Sequence, residues 1–291
     1  MKVEYIVVCA PFVRGGPTED AYAIEQAGGG RPFFAAIADG HGSEVDEQGR
    51  SHQKSVTVAR FAQAVAGGLR EQFAKFPDPT FFPKIFDAVA QGVDAQFRPL
   101  AERRHLFAYL DVGAVASCLT VLEGQVVLAQ TGDCRLYVAD DDPTGFTQLT
   151  RDHNGCDLKE RTRLQPLIDE QKFAVLPPWV DRWTLSSPRL FRHTARGWCG
   201  GLIPTRVFGD WEYQPAVVHE PEVRTFEIST VPKWTVFALC SDGGNRYVER
   251  VFKYFRDQWL AISLLEVAEN TRSRLASVAD DVTIIYFRVI S

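Results

Sequence analysis

Five short segments place an acid beside a glycine or a second acid at the edge of an apolar run. They are TEDAY (Thr18–Tyr22), IADGHGS (Ile37–Ser43), TGDCR (Thr131–Arg135), CSDGG (Cys240–Gly244) and ADDVT (Ala279–Thr283). IADGHGS is the richest. Read as the end of a strand, it offers a carboxylate and a backbone carbonyl side by side, with glycines that let the chain turn closely around a ligand. Each segment is also an ordinary turn composition, and an Asp-Gly turn with an exposed His needs no chemistry to explain it. If the acids converge, their mutual repulsion requires a cationic neutraliser, and hard divalent ions with oxygen ligands, Mg²⁺ or Mn²⁺, suit that task. If they scatter over the surface there is no site. Residue types and spacing alone leave both outcomes open.

The segments that would hold these acids read mainly as strands. Tyr5–Cys9, Phe33–Ala38, Ser117–Leu122, Gln125–Gln130, Arg135–Ala139, Glu222–Ile228, Thr235–Leu239 and Thr283–Val289 are short, rich in Val, Ile, Phe and Tyr, and bounded by Gly, Pro or Asp. Glu123-Gly124 joins two of them as a hairpin turn. Apolar residues at three- and four-residue steps predict helices over Lys54–Phe76 and Pro79–Arg104, and again over Tyr247–Trp259 and Leu260–Leu275. Strands, paired helices, more strands, then helices and a last strand do not make a regular alternation. The expectation is an α+β sandwich of antiparallel sheets covered by helices. Thr150–Gly201, with four prolines and three tryptophans, reads as an irregular surface subdomain or lid.

Composition narrows the function classes. A 291-residue chain with 45% apolar residues can bury a large core, and a net charge of −5 argues against broad nucleic-acid binding. The six cysteines form no CxxC pair and read as reduced core residues rather than a zinc site. No apolar run approaches the ~18 residues of a membrane span. MKVEYIVVCAPF reads as a first strand rather than a signal peptide because Glu4 interrupts it, and the default expectation is the cytoplasm.

Taken in order, TEDAYAI, FFAAIADGHGS, GAVASCLTVLEGQVVLAQTGDCRLYVA, LTRDHN, GGLIPTRVFGD, PEVRTFEI, VFALCSDGG and DDVTIIYF resemble the successive motifs of protein phosphatase 2C-type (PPM) enzymes. The resemblance runs from Val3 to Val289. GGLIPTRVFGDWEY and EPEV lean toward the pyruvate dehydrogenase phosphatase branch, although no mitochondrial presequence is visible. It implies one domain over 1–291 with a flap over 151–201, built as two antiparallel sheets packed face to face with helices on both outer faces (α-β-β-α). It also implies two Mg²⁺ or Mn²⁺ ions. Asp39 would bridge them, with the Gly40 carbonyl and Glu19 on one and Asp242 and Asp280 on the other. Asp20 would orient water, His41 would be the general acid, and Arg14 would clamp phosphate. A metal-bridging hydroxide would attack phosphoserine or phosphothreonine directly, so no Cys or Ser nucleophile is needed. Cys134, where the family usually has Ser, is then a packing residue.

Several departures carry expectations of their own. Val115 replaces a family Thr, and Asp281 a commoner Asn. Arg246 stands where the family often has an acid that helps Asp133 hold a third, weaker metal, and a cation there would oppose that ion. In the flap, Arg182, Arg189, Arg192 and Arg196 lie among Trp179, Trp183 and Trp198 and are candidates for substrate recognition. The implied partner is a phosphorylated protein, opposite a Ser/Thr kinase in signalling, for a monomer with no nucleic-acid or membrane role. The alternatives are a phosphatase-like module that only binds a partner, or a hydrolase of small phosphate esters.

Overall fold

The structure, a computed structural model, describes residues 2–12, 18–28, 31–45, 51–52, 55–102, 109–140, 144–170, 172–176, 189–194, 197–228, 235–256, 258–259, 261–275, 278 and 280–290. The chain begins with β1 (Lys2–Ala10), β2 (Asp20–Glu25), β3 (Phe33–Val45) and β4 (Ser51–His52). Helices α1 (Val56–Lys75) and α2 (Phe82–Glu102) follow, then β5 (Tyr109–Leu122), β6 (Gln125–Thr131), β7 (Arg135–Ala139) and β8 (Phe146–Gln148). Next come α3 (Leu158–Asp169), β9 (Phe173–Leu176), β10 (Arg189–Thr194), β11 (Gly197–Leu202), β12 (Phe208–Gly209) and β13 (Glu222–Glu227). The chain closes with β14 (Val236–Cys240), α4 (Asn245–Tyr254), α5 (Leu264–Arg274) and β15 (Val282–Ile290).

Strand alternation builds the layers. In β3, Phe33, Ala35 and Ile37 join Leu119, Leu128, Leu136, Leu239, Ile285 and Phe287 in the core between the sheets. The alternate residues Phe34, Ala36 and Ala38 face α1 and α2, against Phe61, Val65, Leu69, Phe73 and Phe86. In β15, Ile285 and Phe287 point inward while Ile284 and Tyr286 pack under α4 and α5 with Val248, Val251 and Phe252. This period of two is the pleat, and it gives each sheet two apolar faces to cover. Each fully buried Phe, Leu or Ile contributes roughly 1.5–3 kcal/mol. One sheet runs β1-β15-β14-β7-β8; the other runs β13-β6-β5-β3-β2, with β12 on β5 and β4 on β3; β11-β10-β9 form a third, small sheet. The expected antiparallel α-β-β-α arrangement is what forms.

The predicted strands and helices recur with shifted ends. The hairpin between β5 and β6 turns on Glu123 and Gly124, both at positive φ (50° and 81°), with Leu122 paired to Gln125. Two of the expectations need correction. IADGHGS is not a turn at a strand end: β3 runs through it to Val45, with Asp39, Gly40 and His41 each paired to β5. Gly40 is there for close approach, since a Cβ on it would stand 2.7 Å from the Glu19 carbonyl oxygen. The stretch 151–201 is also less irregular than its prolines suggest. It contains α3, capped by Asp157 and carrying Pro166 within it, and the three strands of the small sheet.

Candidate active site

The five acidic segments meet at one end of the sandwich. Glu19, Asp39, Asp133, Asp242 and Asp280 line one cavity of about 380 Å³, together with Gly40, His41 and Val115. Asp39 comes from the middle of β3. Asp133 sits in the turn from β6 to β7, Asp242 just past β14 and Asp280 just before β15. The Asp242 N–H donates to Asp39 Oδ2 at 3.3 Å. Asp20 lies behind this rim, paired across the strands with Asp39, and accepts the Ser241 hydroxyl at 2.7 Å.

Asp281 performs a task the sequence did not show. Its Oδ2 accepts the Glu19 N–H at 2.7 Å and its Oδ1 accepts the Phe12 N–H at 2.6 Å. An Asn there could accept through only one of its two terminal atoms. The carboxylate therefore fastens the chain on either side of residues 13–17 to the start of β15. Arg14, the expected phosphate clamp, falls outside the described residues.

Bringing these acids together has an electrostatic cost. Burial raises the Asp39 carboxyl well above the usual range, and the charges of Asp20, Asp242, Asp133 and Asp280 push it the same way. Burial likewise lifts Asp20 and Asp133 to about 7 each. Among the described residues, no three His, Cys, Asp or Glu side chains close into a ready-made ligand shell; the acids stand around the cavity wall. The donor set, carboxylates and a backbone carbonyl with no thiol, suits hard divalent cations, whose charge would relieve the repulsion. Cys134 is fully buried behind the site and its thiol is pushed well up, as fits packing rather than nucleophilic attack.

His41 has a partner from the other half of the chain. Its Nε2 lies 2.6 Å from Oδ2 of Asp210, a buried residue with left-handed backbone (φ 46°). Gly113 makes room for the pair, since a Cβ there would stand 2.2 Å from Asp210 Oδ2 and 2.5 Å from His41 Nε2. Asp210 went unrecognised within RVFGD because only the fold brings it to His41.

Gly201–Pro204 and Arg189 line the same cavity. Two buried networks support it. The His153 ring accepts the Gly132 N–H at Nδ1 (3.1 Å) and faces Glu222 through Nε2 (3.1 Å), which holds the turn carrying Asp133. Glu160 of α3 accepts from Arg163, Arg206 and the Thr205 hydroxyl, each at 2.8 Å, and so ties α3 to the residues after Pro204.

The remaining flap and third-metal expectations divide. Arg189 lines the cavity, whereas Arg192 pairs with Glu212. Arg182 and Arg196 lie outside the described residues, as do Trp179 and Trp183. Arg246 is not among the residues lining the cavity that holds Asp133. It sits on the first turn of α4, stacked 4.8 Å from the Tyr247 ring centroid and donating to the Tyr247 hydroxyl, and lines an adjoining cavity of about 420 Å³. A helix starting at Asn245 carries Arg246 out of the turn in which its sequence position seemed to place it.

A family model described as Protein phosphatase 2C matches residues 30–243 of the 291. The chain belongs to the protein phosphatase 2C family. The matched span includes Asp39, Asp133 and Asp242, while Glu19 and Asp280 lie on either side of it. The match does not single out the pyruvate dehydrogenase phosphatase branch. No curated protein matches the chain. Solved structures share the protein phosphatase 2C fold over nearly its whole length. The catalytic domain of the serine/threonine phosphatase PstP, in complex with two manganese ions, is 18% identical, with 99% of each chain covered and a TM-score of 0.58. Stp1 from Staphylococcus aureus is 16% identical over 100% of this chain and 96% of its own, at 0.62. A Caenorhabditis elegans (C.elegans) sex determining protein is 20% identical over 99% of this chain, at 0.61, and the chain spans 65% of its length. Among the described residues no helix is long and apolar enough to cross a membrane.

Proposed function

We propose that this chain is a metal-dependent protein serine/threonine phosphatase whose single catalytic domain, 1–291, carries residues 151–201 as a flap. The convergence of Glu19, Asp39, Asp242 and Asp280 on one cavity with His41 is the observation that carries this. Glu19, Asp39 and the Gly40 carbonyl would hold one divalent cation, and Asp39, Asp242 and Asp280 the other. When bound, such ions supply Lewis acidity and a water acidified toward neutrality. PstP, crystallised with two manganese ions, supports that expectation by fold.

The protein's own groups divide the remaining work. Asp20, held by the Ser241 hydroxyl, orients water behind the acid rim. His41, fixed by Asp210, gives a proton to the departing serine or threonine oxygen. Asp133 is the acid available to a third, weaker ion. The substrate is a phosphorylated protein, so the enzyme opposes a Ser/Thr kinase. A phosphopeptide panel assayed with and without Mn²⁺ tests this: phosphoserine and phosphothreonine peptides should be hydrolysed only with the metal. Hydrolysis of p-nitrophenyl phosphate but of no peptide would favour a small-ester hydrolase, and hydrolysis of neither a partner-binding module.

A further inference from the structure

Arg189 is a cation in a cavity of acids that pairs with none of them. It enters from β10 and lines the same cavity as Asp39, His41 and Asp242. Its Nη1 donates to the Gly201 carbonyl at 2.5 Å, and among the described residues it makes no ion pair. Its Nε is buried with no hydrogen-bond acceptor among the described residues. Gly201 has φ +140°, and a Cβ there would stand at ordinary contact distance, 3.4 Å, from Arg189 Cδ. Gly201 is itself held by its N–H, which donates to the Tyr213 hydroxyl at 3.0 Å. Arg192, on the same strand, spends its charge on Glu212. The guanidinium of Arg189 is thus anchored by a neutral carbonyl, with its charge left for a ligand of the cavity.

We infer that Arg189 contacts the phosphoryl group of a substrate bound in this cavity. The inference rests on the phosphatase reading of this site. A guanidinium matches phosphoryl oxygens in geometry and charge, and in a partly enclosed cavity such a pair is stronger than in water. Arg189 therefore acts on the phosphate itself, common to every substrate, and not on the surrounding peptide. A contact to the peptide would instead be felt with protein substrates alone.

The test uses the full chain loaded with Mn²⁺, with inorganic phosphate and p-nitrophenyl phosphate as probes. Arg189→Met keeps the aliphatic stem and removes the charge. It should raise the inhibition constant for inorganic phosphate and the KM for p-nitrophenyl phosphate about tenfold each, with a smaller change in kcat. Arg189→Lys should recover part of the phosphate affinity and guards against a folding defect in the first variant. Unchanged phosphate inhibition in Arg189→Met, or a loss confined to phosphopeptides, would overturn the assignment. Should the wild type hydrolyse nothing, calorimetric titration of inorganic phosphate into the Mn²⁺-loaded wild type and Arg189→Met still decides the contact separately from catalysis.

Discussion

His41 Nε2 and Asp210 Oδ2 stand 2.6 Å apart although 169 positions separate them in the chain. The carboxylate can only accept, so the ring nitrogen facing it carries the proton and the imidazole is held in one orientation. Asp210→Asn should therefore resemble His41→Ala. Both should slow alkyl phosphates by ~10²-fold and p-nitrophenyl phosphate by only a few-fold, because nitrophenolate leaves with little help from an acid. The double variant should be no worse than the worse single one, as for residues acting as a unit. Losses that multiply, or that fall equally on both substrates, would argue against the pairing.

Gly113 offers an independent approach to the same pair. A methyl group there would occupy the space between the Asp210 carboxylate and the His41 ring. Gly113→Ala should reproduce the leaving-group selectivity of Asp210→Asn while Mn²⁺ binding, measured by calorimetry, persists. Retention of wild-type activity on alkyl phosphates would show that the contact is dispensable.

Glu160 sets a pH-dependent tie between α3 and the cavity wall. The hydrogen bonds and charges of Arg206 and Arg163 overcome the upward push of burial and hold its carboxyl at about 2, below the usual value near 4.5. The sign follows from the depressed folded-state pKa. The stabilisation is fully present above about 4.5 and is lost as pH falls toward about 2. Breaking a buried pair by removing one partner costs on the order of 3 kcal/mol. Glu160→Gln should lower stability by about that amount at pH 7, with the difference shrinking on acidification. A pH-independent difference in urea midpoint between wild type and variant would contradict it.

The alternation of Phe33, Ala35 and Ile37 against Phe34, Ala36 and Ala38 fixes which face of β3 meets the second sheet, so that layer was legible from local pattern. The acids were legible as candidates because an Asp beside a glycine at the edge of an apolar run is a short-range feature. Their convergence was not; it depends on which strands pair, and a run of letters does not state that. The roles of Asp210, Asp281 and Gly113 were not legible because each acts through a partner far along the chain. The β9–β11 sheet was hidden by a proline-rich segment whose strands are held by one another, not by a long apolar face. The surroundings of Arg246 were not legible either, because the helix starting at Asn245 sets where its side chain goes.

In the proposed function the acids gathered around Asp39 hold two divalent ions that the reaction requires. Asp39 is the residue shared by both proposed ion sites, and its carboxyl is pushed up by burial and then by four neighbouring carboxylates. Calorimetric titration of Mn²⁺ into the wild type and Asp39→Asn, with turnover of p-nitrophenyl phosphate followed on the same samples, is the most direct measurement. The wild type should bind two ions, and the variant should lose affinity for both and at least a thousandfold in turnover, about 4 kcal/mol of barrier. Two ions bound with unchanged affinity and undiminished turnover in Asp39→Asn would contradict the assignment.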